Sequence, residues 1–316
     1  LSRGLGDVYK RQVPDQPLHD QAAMTRLDLE MPLPADYRLA DLLSFHRRDA
    51  QALAERVTDD GLDKGLLWQG LPACLSLRFA AHRVRVSLQV DGDIDDDPQP
   101  LEVLAAHMLG LTQPVHAFEA AYGAHPLLGR LIAANRGLRV PQAASAFEAL
   151  TWAISGQQIS LAVAISLRRR LIQLAGQQHS GGLFCYPDAA AVAALDEDVL
   201  GRAGFSRAKS QTLLRLAREV VEGRLPLDQW QADAPAEVIA EHLLALKGIG
   251  PWTVDYALLR GFARLDGSLH GDAAVRRQLQ RLLGAEEKLT QPFVRDWLQP
   301  FAPWRALVAA HLWALP

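Results

Sequence analysis

The chain has 316 residues, 49% of them hydrophobic and 22% charged, with a formal net charge of −3 at pH 7. That length and apolar content support two domains with substantial cores and exclude wholesale disorder. So small a net charge gives no bulk signal for a polyanionic partner, and two cysteines, Cys74 and Cys185, exclude a disulfide framework and a four-thiolate iron–sulfur site.

Any nucleic-acid surface must therefore be local. Basic and acidic residues number 15 and 19 before position 141 (net −4) and 18 and 17 from it onward (net +1), which points weakly to the second part. No apolar run reaches the roughly 18–20 residues of a membrane span, and the N-terminus lacks the basic-then-apolar order of a secretory signal. The expectation is a cytoplasmic protein. Residues 1–23 show no periodicity and read as a non-native or disordered leader.

From Met24 to about Gly92 the signals are strand-like. Arg83 to Val90 alternates polar and apolar, Ala73 to Phe79 does so more loosely, and together they predict a hairpin. Leu39 to Val57 reads as one helix. Asp91-Gly92-Asp93-Ile94-Asp95-Asp96-Asp97-Pro98 reads as a solvated acidic turn, since no glutamate closes it as a calcium loop would require. Beyond Pro98 the period is helical and the punctuation is Gly or Pro. It predicts helices near 99–110, 114–122, 125–135, 142–156, 160–175, 187–194, 206–222, 235–245, 252–263, 272–283, 290–299 and 304–313. The fold class is mainly α with an α+β N-terminal domain (24–113, antiparallel sheet) and an all-α part (114–316, one or two subdomains).

The most informative stretch is Leu246-Lys247-Gly248-Ile249-Gly250-Pro251-Trp252-Thr253. Gly-Ile-Gly after a helix makes a tight turn whose backbone N–H groups sit at the next helix start, where a phosphate is favoured. Pro251 suits the first helical position. A packing corner without a ligand is the competing reading. Trp252 and Tyr256, four apart, share one helix face, and Ser268-Leu269-His270-Gly271-Asp272 delivers a carboxylate at a further helix start. Asp272 is either a helix cap or a working carboxylate.

The segment from Leu246 to Arg277 resembles the helix-hairpin-helix/Gly-Pro-Asp signature of the base-excision DNA glycosylase superfamily, and most of all its 3-methyladenine DNA glycosylase II branch. The shared features are the hairpin, Trp252-Thr253, Tyr256, Arg260-Gly261, and an aspartate twenty residues after the Trp. Similarity extends to Ala146–Ser160, to Gly204–Lys209, to Pro303-Trp304-Arg305 and to His311-Leu312-Trp313. The resemblance implies a helix-hairpin-helix DNA glycosylase fold and hydrolysis of the N-glycosidic bond of alkylated purines (3-methyladenine, 7-methylguanine type) in duplex DNA by base flipping. It makes Asp272 the catalytic carboxylate, stabilising an oxocarbenium-like sugar and activating water. It gives Trp252, Tyr256, Trp313, Phe45 and, more weakly, Trp304 a base pocket suited to cationic bases by stacking and cation–π attraction; core packing is the alternative for each, and for Phe45 especially.

The resemblance also assigns DNA contacts to Gly248, Gly250, Thr253 and Gln158, the last as the residue filling the gap left by the flipped base. It implies a monovalent cation, Na+ or K+, on backbone carbonyls of Leu244, Leu246 and Ile249, no required cofactor, and a nucleoid-associated monomer. Strand-cleaving relatives carry a lysine where this sequence has Trp252, so the expected enzyme is monofunctional, without lyase activity. His270 and Ala273 depart from the Pro and Tyr common around the family's aspartate, which leaves substrate range open. Arg168-Arg169-Arg170 reads as a DNA-backbone patch or a solvated helix face. The rivals are a non-catalytic helix-hairpin-helix DNA-binding protein and a glycosylase for another damaged base.

Overall fold

Residues 24–315 are described in the computed structural model of the chain; the leader reading of residues 1–23 lies outside them. Strands β1 (Thr25–Pro32), β2 (Glu55–Val57), β3 (Gly61–Trp68), β4 (Leu71–Ala80) and β5 (Arg83–Val90) form one antiparallel sheet in the order β1-β5-β4-β3-β2. The predicted hairpin is β4–β5: Ala73, Leu75 and Leu77 pair with Val90, Leu88 and Val86, and all six are fully buried. That face meets Leu42 and Leu43 of α1 (Leu39–His46) and Leu101, Ala105 and Met108 of α2 (Gln99–Met108).

Helices then follow without interruption: α3 (Val115–Tyr122), α4 (Leu128–Ala134), α5 (Ala146–Gly156), α6 (Leu161–Ala175), α7 (Ala189–Ala193), α8 (Glu197–Arg202) and α9 (Arg207–Val221). After these come α10 (Leu227–Asp233), α11 (Ala236–Leu244), α12 (Pro251–Arg260), α13 (Ala273–Leu283), α14 (Gln291–Leu298) and α15 (Arg305–Trp313). Ser145, Ser160, Asp188, Ser206 and Thr290 each accept a hydrogen bond from the third residue of the helix they start, which satisfies a donor the helix cannot.

Two apolar cores share this helical part. One gathers α6 through α11; the other gathers α3, α4, α13, α14 and α15. Helices α5 and α12 belong to both, which is why α5 is buried on every side from Ala146 to Ser155. They cross so closely that a Cβ at Gly261 would lie 2.9 Å from the Cβ of Ala149. The seam between the two cores is where the functional side chains collect.

Three sequence expectations are corrected. The stretch 39–57 is not one helix: α1 ends at His46, Asp49 accepts a hydrogen bond from the Gln51 N–H, Ala52 takes a left-handed φ of 51°, and Glu55 opens β2. The triple-arginine run is neither a solvated face nor a DNA patch. Arg168 is buried against Glu55 and Glu148 (2.9 and 3.0 Å), Arg169 pairs with Asp49, and Arg170 donates to the carbonyl of Ala203. The acidic turn is anchored at one end, where Asp91 accepts from the Ser180 N–H and hydroxyl.

Arg168 belongs to a sealed ionic cluster that ties the sheet to the helices. Lys64 of β3, with no exposed surface, donates to Glu55 (2.7 Å) and to Glu148 of α5 (2.8 Å). Burial would push both carboxyls up, but Arg168 and Lys64 outweigh it and hold Glu55 well below, and Glu148 below, the usual carboxylate range. Two cations thus balance two anions.

Candidate active site

Asp272 stands at the N-cap of α13. Its Oδ1 accepts from the N–H groups of Ala274 and Val275 (both 2.9 Å), as a cap requires. The same oxygen accepts from the indole N–H of Trp313 (3.2 Å), and Oδ2 from that of Trp252 (3.0 Å). A cap alone uses one oxygen; here two indoles from α12 and α15 grip the carboxylate as well. Tyr256 lies beneath Trp252, ring centroids 5.5 Å apart and tilted by 33°.

The loop that carries Asp272 is held by a residue sequence reasoning missed. Asp255 of α12 accepts from the Leu269 N–H (3.0 Å), and Leu269, fully buried with φ 47°, in turn accepts from the Asp272 N–H (2.9 Å). A left-handed non-glycine residue persists only where its surroundings enforce it. Burial pushes the Asp255 carboxyl up, against the lowering pull of the Leu269 N–H. His270 bonds to Ser268 (2.5 Å) within the same loop.

The hairpin between α11 and α12 uses its glycines differently. Gly248 has φ 100°, and a Cβ there would lie 2.0 Å from Oγ1 of Thr212 on α9, so the fold itself demands glycine. Gly250 has an unstrained φ of −109° and open space where a Cβ would go. The Ile249 N–H is spent on the Leu246 carbonyl, while those of Gly248 and Gly250 find no acceptor among the described residues. Two donors at the start of a ten-residue helix are thereby left for an anion.

Gln157 couples this hairpin to the end of α5 by donating to the Gly248 carbonyl (3.0 Å) and to Thr253 Oγ1 (2.9 Å). Thr253 is only 2% exposed, so its hydroxyl locks the hairpin from inside rather than standing on the surface. Gln158, exposed and at φ 55°, tips the turn beside it, with Ile159 and Leu161 exposed as well. Lys209 Nζ donates to the Ser155 carbonyl (2.7 Å), and burial lowers its pKa.

Of the expected pocket aromatics, Trp252, Tyr256 and Trp313 converge on Asp272. Phe45 approaches from α1 but its ring is covered by guanidinium groups, Arg48 Cζ at 4.0 Å and Arg260 Cζ at 4.5 Å from the centroid. Trp304 turns onto Phe118 instead (6.2 Å) and belongs to the core beneath α15. Arg260 carried a signal in the Arg-Gly pair; Asp255 and Arg48 carried none.

The sequence profile described as "HhH-GPD superfamily base excision DNA repair protein" matches residues 151–301, which contain the Gln157 turn, the hairpin and Asp272. The chain belongs to the HhH-GPD superfamily. Over 188 residues it is 32% identical to the DNA-3-methyladenine glycosylase 2 of Escherichia coli (strain K12), covering 59% of this chain and 63% of that protein. It is 25% identical over 300 residues to the probable bifunctional transcriptional activator/DNA repair enzyme AlkA of Mycobacterium tuberculosis (strain CDC 1551 / Oshkosh), covering 92% of this chain and 58% of that one. The chain thus spans less than two thirds of these relatives' lengths. The HhH-GPD fold itself extends further: the 3-methyladenine DNA-glycosylase from Archaeoglobus fulgidus superposes with a TM-score of 0.76 at 21% identity, covering 90% of this chain and 97% of that one. Among the described residues no helix is long and apolar enough to cross a membrane.

Proposed function

We propose that this HhH-GPD protein is a monofunctional DNA glycosylase that hydrolyses the N-glycosidic bond of alkylated purines in duplex DNA. The observation that carries the reading is the Asp272 carboxylate gripped by two indole N–H groups beside a hairpin with unspent backbone donors. In this reading Gly248 and Gly250 hold a phosphate, and Gln158, with Ile159 and Leu161 beside it, fills the space vacated by the flipped nucleotide. The purine stacks among Trp252, Tyr256 and Trp313. Asp272 then faces the sugar as positive charge develops on it and orients the attacking water.

A monovalent cation fits the hairpin through the carbonyls of Leu244 and Ile249 and a second lone pair on that of Leu246; the carbonyls of Lys247 and Gly248 are taken by Arg215 and Gln157. When bound it would add positive charge beside the phosphate. Lyase chemistry needs an amine at the sugar carbon. The side chain nearest that place in sequence is Trp252, and Lys209 is committed to the Ser155 carbonyl.

The test is incubation with methylated duplex DNA, chromatography of released bases, and borohydride added during turnover. The reading expects free 3-methyladenine and 7-methylguanine, intact strands and no protein–DNA adduct. Binding without base release would make the chain a DNA-binding protein, and an adduct would remove the monofunctional assignment.

A further inference from the structure

A row of rings and cations runs away from the carboxylate. The Trp313 indole touches Asp272; Arg260 Cζ lies 5.7 Å from the Trp313 ring and 4.5 Å from that of Phe45. Arg48 Cζ lies 4.0 Å from Phe45 and 4.5 Å from Trp152 of α5. The buried guanidinium elsewhere in the fold, Arg168, is neutralised by two glutamates. These two are held by aromatic faces instead. Arg48 has no hydrogen-bond or ion-pair partner among the described residues. Arg260 donates through Nη1 to the Pro141 carbonyl (2.8 Å), and its buried Nε has none. Burial pushes the Arg260 pKa down to about 10, with Arg48 adding to the fall. Asp41, whose charge reaches Arg260, is bound to Arg38.

Resting on the glycosylase reading, we propose that Arg48 and Arg260 set the charge preference of the base pocket, favouring an uncharged base with carbonyl and ring-nitrogen acceptors over a cationic one. The ring faces satisfy part of each cation's need for negative charge but accept none of its in-plane N–H bonds. A guanidinium matches an adjacent carbonyl and ring nitrogen with two parallel hydrogen bonds, as it does when reading the O6 and N7 edge of a purine. A base alkylated to a cation brings a third positive charge into a poorly solvated space and gains no such bond. The cation–π attraction available to an alkylated base at Phe45 is already taken by protein cations. Selection by charge is thereby shifted to the arginines, and stacking on Trp252, Tyr256 and Trp313 serves both kinds of base.

The experiment measures single-turnover release from two duplexes, one with a single hypoxanthine (uncharged, O6 and N7 acceptors) and one with 7-methylguanine. Wild type, Arg48→Met and Arg260→Met are each scored on both, so the ratio of the two rates does not depend on how much of a preparation is folded. The ratio of hypoxanthine to 7-methylguanine release should fall at least about tenfold in Arg260→Met and fall in the same direction in Arg48→Met. An unchanged ratio in both variants, or no hypoxanthine release by wild type while 7-methylguanine is released, overturns the proposal and leaves the glycosylase reading standing. Release of neither base overturns both.

Discussion

Alanine at Gly248 and alanine at Gly250 should separate folding from DNA binding, although only one residue lies between them. At Gly248 the new methyl meets Thr212 Oγ1 at 2.0 Å and the backbone sits at φ 100°. The left-handed backbone costs roughly 1–2 kcal/mol and the forced repacking about 1–3 kcal/mol, a loss of roughly 2–5 kcal/mol in all. At Gly250 nothing lies within 4 Å of the new methyl and φ is −109°, so stability should hold or rise by about 0.4–1 kcal/mol through a less flexible unfolded chain. The open side of Gly250 is the phosphate side in our account, so Gly250→Ala should weaken damaged and undamaged duplex alike. It should also reduce the slope of log affinity against log salt by about 0.9. Chemical denaturation measures the first effect and fluorescence anisotropy across a salt series the second. Thr212→Ala in the Gly248→Ala background should recover part of the lost stability. Equal stability of the two single variants would refute the packing argument, and loss of binding confined to damaged DNA would refute the phosphate assignment.

Removing Lys64 from the sealed cluster by Lys64→Met leaves Glu55 and Glu148 facing Arg168 alone and should cost about 3–5 kcal/mol; a loss under about 1 kcal/mol, typical of an exposed pair, would show the cluster does not bind sheet to helices. Both carboxyls are depressed in the fold, so their contribution is present above the unfolded value and is lost as pH falls through the folded ones. Acid unfolding of Lys64→Met should accordingly begin at higher pH than in wild type. Asp255→Leu deprives Leu269 of its acceptor and should slow base excision at least about tenfold with undamaged-duplex affinity unchanged, whereas Asp255→Asn, which keeps an acceptor oxygen, should restore the rate; failure of Asn to rescue would remove Asp255 as a positioning residue.

Helices with one buried face were legible in the sequence because their apolar residues recur every three or four positions, and the β4–β5 hairpin because it alternates. Strand β3 was not: Leu62, Gly65 and Leu66 are buried on both faces, with Gly65 backed so closely by Phe184 that a Cβ would lie 2.1 Å from its carbonyl oxygen. The short helices α8 and α10 hold too few turns to show a period. At the site, Asp272, Trp252 and Tyr256 could be read because spacing along α12 and its following loop carries them. The carboxylate's grip by Trp313 and the placement of Phe45 join residues far apart in the chain. A run of three arginines looks like a surface patch until its partners, Glu55, Glu148 and Asp49, arrive from other elements. Thr253 follows the hairpin as a surface residue would, yet Gln157, 96 positions earlier, draws its hydroxyl inward.

The central claim is that the Asp272 carboxylate performs chemistry beyond capping α13. Asn caps a helix about as well as Asp and retains an oxygen for Ala274 and Val275, so the single-turnover rate of 7-methylguanine release by Asp272→Asn tests it most directly, with thermal unfolding of the same preparation alongside. The account predicts an unfolding midpoint close to wild type and a rate lower by at least about a hundredfold. Release at the wild-type rate would contradict it and leave Asp272 a cap.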